Sequence, residues 1–213
     1  MRLDVFTLVP HAFAWLTEQR PVATVLGNVL DLRLYSYRDT TPLGSGSVDD
    51  EPYGGGAGMV LRVDVVSAAL DAAYGDTPPG RVVALSPQGR QLTQEVVEQL
   101  AKEDHLTLLS ARFEGFDERI VEHLATDSIS IGPYVLSNGD LPAMVVVDAI
   151  ARRLPGALAA GSGELESFSP ELGGGLEYPH YTRPAEFRGW HVPDVLLSGD
   201  HGRIESWRKE HVR

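Results

Sequence analysis

S-I-S-I-G-P-Y-V-L-S-N-G-D-L-P, residues 128–142, decides the fold. Two short apolar runs are interrupted by Gly132, Pro133, Asn138, Gly139 and Pro142, so neither extends into a long helix. Ala143 to Leu154 (AMVVVDAIARRL) follows as an apolar helix ending in paired arginines and Pro155-Gly156. A glycine-broken loop opening onto such a helix lets a small ligand approach the backbone closely. A plain buried connection between strand and helix reads the same way, so neighbouring stretches must decide.

Working outward, Arg81 to Leu85 (RVVAL) reads as a buried strand that ends in S-P-Q-G-R, residues 86–90. His105 to Ser110 (HLTLLS) is another, ending in R-F-E-G-F-D-E-R, residues 112–119, and Ser128 to Leu136 supplies a third. Helical spacing covers Val63 to Tyr74 and Leu92 to Lys102, with a short helix at Ile120 to Leu124. Toward the N-terminus, residues 2–9 are β-rich, Pro10 to Thr17 opens a helix, Val22 to Gly27 a second, and Leu30 to Tyr37 alternates as a strand. Strand, loop and helix recur, which predicts an α/β domain with a largely parallel sheet. Three strands deliver polar, glycine-containing loops at their C-terminal ends, the edge where open α/β sheets bind ligands.

Between strand and helix lies V-D-D-E-P-Y-G-G-G-A-G-M-V, residues 48–60. Four glycines in five positions exclude a stable helix or strand there. The loop is neither a Walker loop, lacking a following Lys-Ser/Thr, nor a Rossmann fingerprint, lacking a clear preceding strand. Residues 157–178 lose periodicity and read as a mobile linker; Pro179 to Pro184 (PHYTRP) is an aromatic, basic hexad. Pro193 to Gly199 reads as a short strand or extended arm, and Ile204 to Val212 as a helix.

Composition sets limits. The 213 residues suit one domain, or one with a small appendage, and no window resembles a membrane span. The start, MRLDVFTLVP, reads as a first strand and not a signal peptide. Cysteine is absent, which removes disulfides and thiolate metal sites and fits a reducing cytoplasm. A net charge of −12 argues against broad nonspecific nucleic-acid binding, although residues 181–213 carry 6 basic against 5 acidic side chains.

VDDEPYGGGAGM, LSPQGR, RFEGFDER, SIGPYVLSNGDLPAM, SFSPELGGGLEYPHYTRP and VPDVLLSGDHGRIESWR occur in that order over nearly the whole chain. In them the chain resembles the bacterial tRNA (guanine-N1)-methyltransferase family (TrmD type), of the SPOUT class. The resemblance implies a deep C-terminal trefoil knot, a topology that general fold rules disfavour. It implies a homodimer in the cytoplasm that moves a methyl group from S-adenosylmethionine to N1 of guanosine-37 in tRNA, with a Mg²⁺ dependence linked to Glu114. Its implied organisation is a catalytic domain over 1–160, a mobile catalytic linker over 161–178, and over 179–213 the start of a tRNA-binding region that continues further in the family.

The same resemblance assigns residues. The methyl donor would be gripped by Leu85, Ser86, Pro87 and Gly89, by Ala111 and Glu114, and by Ile131, Gly132, Pro133, Tyr134, Val135, Leu136, Asn138, Gly139 and Pro142. Asp50, Tyr53, Gly55, Arg183, Ser198 and His201 would meet the RNA, and no metal ligands are assigned. Guanine N1 carries a proton, so attack needs a carboxylate base and a cation for charge on O6. Glu166 and Arg152 fall at those positions, with Glu114 near the methyl group. Departures are Glu166 for an aspartate, Ala111 and Asn138 for glycines, Pro133 for an aspartate and Phe113 for a tyrosine. They leave two alternatives open: a non-catalytic relative that binds cofactor or RNA, and a methyltransferase of this fold acting at another RNA position.

Overall fold

Alternation within single strands explains how the sheet is covered on both sides. The computed structural model describes residues 1–159 and 166–213. In it Arg2–Thr7 forms β1, whose Asp4 and Phe6 face one layer of helices while Leu3, Val5 and Thr7 face the other. The elements that follow are α1 (Ala14–Glu18), α2 (Val22–Val25), β2 (Asp31–Ser36), the short pair β3 (Asp49–Asp50) and β4 (Val60–Leu61), α3 (Val63–Tyr74) and β5 (Arg81–Gln91). Then come α4 (Gln94–Leu100), β6 (His105–Ser110), α5 (Glu118–His123), β7 (Asp127–Ser130) and α6 (Asp140–Ala151). The chain clusters into two units, Met1–Ala157 and Leu158–Arg213.

In the first unit five parallel strands run in the order β2-β1-β6-β5-β7. On one face α3 buries Val65, Val66, Ala69, Leu70 and Tyr74, a helical stripe packed on Phe6, Val82 and Leu109. α6 buries Ala143, Val146, Val147 and Ile150 and packs beside β6, α2 and α4. Each fully buried Leu, Ile or Val contributes roughly 1.5–3 kcal/mol, so these stripes carry the fold.

Three boundaries differ from the sequence expectation. The strand expected over 128–136 stops at Ser130. There the Ser130 hydroxyl accepts from the Gly132 amide (3.2 Å) and donates to the Gly132 carbonyl (3.0 Å), turning the chain just before Pro133, which has no N–H for a ladder. α6 starts at Asp140, ahead of the expected 143, because Pro142 lies in the first turn, where a missing N–H costs nothing. β5 runs past Leu85 to Gln91, with its register against β7 shifted between Leu85 and Arg90.

In the second unit, the stretch expected as a linker lies partly outside the described residues (160–165). From Glu166 on it forms a hydrogen-bonded turn: Phe168 N–H donates to the Gly175 carbonyl (2.7 Å), and Leu176 and Arg213 exchange backbone bonds of 2.6 and 3.0 Å. A hairpin, β8 (Glu186–Phe187) and β9 (Trp190–His191), turns on Arg188 and Gly189, both at positive φ (55° and 81°). The extended arm expected over 193–199 is instead a helical turn, α7 (Asp194–Leu197). Pro193 starts it with a preset φ, and Asp194 sits in its first turn. α8 (His201–Glu210) is capped by Asp200, which accepts from the Arg203 amide at 3.1 Å. No helix among the described residues is long and apolar enough to cross a membrane.

Candidate active site

The C-terminal ends of β5, β6 and β7 surround a cleft enclosing about 700 Å³, its open mouth included. From β5 come Leu85, Ser86 and Pro87. From the segment after β6 come Ala111 to Gly115, and from the segment after β7 come Ile131, Gly132, Tyr134 to Gly139, and Pro142. Thirteen of the fifteen residues expected around the methyl donor therefore share one cavity. Gly89 and Pro133 do not line it. A side chain at Gly89 would collide with the backbone of Ser128 and Ile129, so this glycine serves a close approach between strands.

The floor is pinned by backbone. Gly139 N–H donates to the Ala111 carbonyl (2.7 Å), and a Cβ at Gly139 would meet Ala111 N at 3.0 Å. Ala111 and Asn138, expected as departures, fit without difficulty: Ala111 is buried, and the Asn138 side chain accepts from the Asp140 amide (2.9 Å). Beneath them Asp140, 3% exposed, accepts from Thr7 (2.6 Å) and Ser110 (2.7 Å) through Oδ1. Its Oδ2 has no hydrogen-bond partner among the described residues.

The cleft combines apolar walls, open backbone groups and a carboxylate. Leu85, Pro87, Ile129 and Pro142 offer apolar walls. Among the described residues, the amides and carbonyls of Val135, Leu136 and Ser137 make no intramolecular hydrogen bond, so they are available to the edge of a base. Among the described residues, Glu114 is the one carboxylate on the lining. Its amide donates to the Met59 carbonyl (2.9 Å), and its side chain lies so close over Gly58 that a Cβ there would overlap it. Phe113, beside it, holds φ of 61°, an uncommon conformation for an aromatic residue.

Through that contact the glycine-rich loop abuts the cleft. Asp50 and Tyr53 line a separate depression with Arg62, Phe116 and Arg119. Arg62 bridges Asp50 and Asp64 at 2.8 Å each, and its hydrogen bond holds the Asp64 carboxyl below the usual range. Tyr53 is fully exposed, and Gly55, at φ of 78°, has open space around it. Arg152 caps the C-terminus of α6, its amide donating to the Asp148 carbonyl (3.1 Å). Burial pushes the Asp148 carboxyl up, and the Arg152 charge opposes that shift.

Glu166, Arg183, Ser198 and His201 belong to the second unit. The Glu166 carbonyl accepts from the Ser169 amide (3.0 Å), Arg183 is exposed ahead of Pro184, the Ser198 hydroxyl donates to the Val195 carbonyl (2.7 Å), and His201 opens α8. Arg112, Gly115, Ser130 and Ser137 also line the cleft and were absent from the expected set. Each lies within a quoted motif, and the Ser130 turn could have been read from S-x-G-P. No group of three or more His, Asp or Glu side chains suited to a metal occurs among the described residues.

Comparison with known proteins bears on this geometry. A family model described as "tRNA (Guanine-1)-methyltransferase TrmD" matches residues 1–213. A tRNA (guanine-N(1)-)-methyltransferase of Brevibacillus brevis is 49% identical over 220 residues, which is 100% of this chain and 87% of that protein. Proteins of the same name from Dehalococcoides mccartyi strain CBDB1 and Geobacillus kaustophilus are each 47% identical, covering 99% and 100% of this chain and 85% and 87% of theirs.

Proposed function

The chain belongs to the tRNA (guanine-1)-methyltransferase family, and on that premise we propose that it methylates N1 of guanosine-37 in tRNA, in the cytoplasm, using S-adenosylmethionine. The observation that carries this reading is the single cleft into which three strand ends bring thirteen of the residues assigned to the methyl donor.

When bound, S-adenosylmethionine supplies an electrophilic methyl group on a sulfonium. The residues fit it. The apolar walls would take the faces of its adenine, the unpaired backbone groups of 135–137 its edge, and the Glu114 carboxylate its positive charge. Gly139, where a Cβ would meet Ala111 N at 3.0 Å, keeps the floor close to the ligand. Glu166 is the proposed acceptor of the guanine N1 proton, without which N1 is a poor nucleophile. Arg152 is the proposed cation for charge developing on O6. Asp50, Tyr53 and Gly55 are proposed to meet the RNA, with Arg183, Ser198 and His201 from the second unit.

A trefoil knot of the SPOUT type is part of the proposal. It rests on the family to which the chain belongs. A homodimer is proposed on the family and on exposed apolar side chains, Leu141 and Val145 on α6 and Tyr134 and Val135 in the segment before it. Residues 179–213, with 6 basic side chains, are proposed as the beginning of the tRNA-binding region.

The test is transfer of labelled methyl to a tRNA transcript with guanosine at 36 and 37, against a guanosine-37→adenosine control, with and without Mg²⁺. Transfer lost in the control supports the assignment. S-adenosylmethionine binding without transfer to any tRNA would overturn it in favour of a binding protein, and transfer retained in the control would point to another position. Arg152→Ala and Glu166→Ala should each lower turnover by about 10²–10³ while cofactor affinity stays nearly constant. Equal loss of cofactor binding in both would refute the roles given to them.

A further inference from the structure

The register between β5 and β7 contains an excursion with two closely placed feet. Leu85 and Arg90 both pair with Ile129, so residues 86–89 are looped out between them. Ser86 and Pro87, on the outgoing half, line the cleft. The returning half has no slack, because Gly89 passes so close to Ser128 and Ile129 that no side chain fits.

What secures the return is a side chain outside the cleft. Arg90 reaches back along β7 to Asp127, with Nε 3.1 and 3.2 Å from the two carboxylate oxygens and Nη2 2.6 Å from Oδ2. Arg81, at the far end of β5, donates to the same Oδ2 at 2.8 Å and also meets Glu103 at 3.1 Å. The Asp127 side chain is only 13% exposed. Burial acts to raise its carboxyl, but the bonds from Arg90 and Arg81 outweigh that and hold it below the usual range. A forked, partly buried, charge-assisted pair restrains more strongly than an exposed one.

We infer that Arg90 and Asp127 are a positioning pair that sets affinity for S-adenosylmethionine without touching it, by holding the 86–89 loop against β7; this rests on the cofactor reading above. With Arg90 released, Ser86 and Pro87 would have to be ordered at the moment of binding, and that cost falls on affinity and not on the chemical step. Arg81 provides the control. It shares Asp127 but lies before the excursion, so its loss should lower stability and leave the loop in place.

The experiment measures S-adenosylmethionine binding by calorimetry, methyl-transfer kinetics and thermal unfolding on the full chain. Arg90→Gln should raise the Kd about tenfold and keep kcat at saturating cofactor within about twofold. Arg90→Lys, which keeps the charge and loses the fork, should fall between Arg90→Gln and the parent, and it carries the comparison if Arg90→Gln does not fold. Arg81→Gln should lower Tm with Kd within about twofold of the parent. Unchanged binding in Arg90→Gln, an equal loss in Arg81→Gln, or a fall in kcat with constant KM would each overturn the inference. If the parent chain binds no S-adenosylmethionine, the cofactor reading fails. The pair is then judged by hydrogen exchange at Gln88 and Gly89, where faster exchange in Arg90→Gln supports it and unchanged exchange overturns it.

Discussion

Two buried carboxylates stand at opposite edges and on opposite faces of the sheet, and their surroundings differ. At the N-terminal edge Asp4 is fully buried and saturated. It accepts from Arg2 (2.8 Å), Tyr74 (2.8 Å) and His105 (2.8 Å), and Tyr74 in turn meets Thr107 (2.7 Å). At the C-terminal edge Asp140 has two hydroxyl donors on one oxygen and none on the other among the described residues. A satisfied network fastens strands together. An incompletely satisfied one is tolerated where the surroundings serve something besides stability. The cleft lies at the second edge, so the saturated network and the proposed ligand site are separated along the same strands.

The largest expected effect tests the saturated edge. Asp4→Ala leaves the Arg2 cation, the Tyr74 hydroxyl and the His105 ring without their shared acceptor, and should cost about 3–5 kcal/mol in urea unfolding. A cost under about 1 kcal/mol would erase the contrast between the edges.

A pair of glycine substitutions comes next. Gly80 sits at φ of 71° with the His105 backbone where a Cβ would go, so Gly80→Ala should cost about 2–4 kcal/mol of stability with little change in cofactor affinity. Gly139→Ala should cost less, about 1–2 kcal/mol, because φ is ordinary there and the nearest contact is 3.0 Å. It should nonetheless weaken S-adenosylmethionine binding several-fold by lifting the floor, and comparison of calorimetric Kd values decides. The smallest effect belongs to Asp140→Asn. An amide oxygen still accepts from Thr7 and Ser110, so unfolding should shift by only about 1 kcal/mol. A loss matching that of Asp4→Ala would mean that the second edge is as tightly bound as the first.

The parallel sheet was legible because HLTLLS and RVVAL are short apolar runs bounded by polar, glycine-bearing loops, and such runs have few ways to hide both faces. The residues that line the cleft were legible in its motifs. The end of β7 at Ser130 was not, since IGPYVL is as apolar as a strand and only the Ser130–Gly132 bonds turn it aside. The hairpin around Arg188-Gly189 was missed because its strands are two residues long and exposed, with no alternation to read. VLL after Pro193 suggested extension, but nothing buries it fully, and its turn follows local backbone preference.

Local chemistry settled the elements, the loops and the residue types at the sheet edge, because apolar periodicity and glycine or proline placement act over a few neighbours. Tertiary structure alone decided two other matters: that Gly89 faces β7 and not the cleft, and that Arg90 returns to Asp127 across 37 residues of sequence. Each depends on which strands lie side by side. That adjacency is set by burial of the whole sheet between its helices, and no window of sequence carries it.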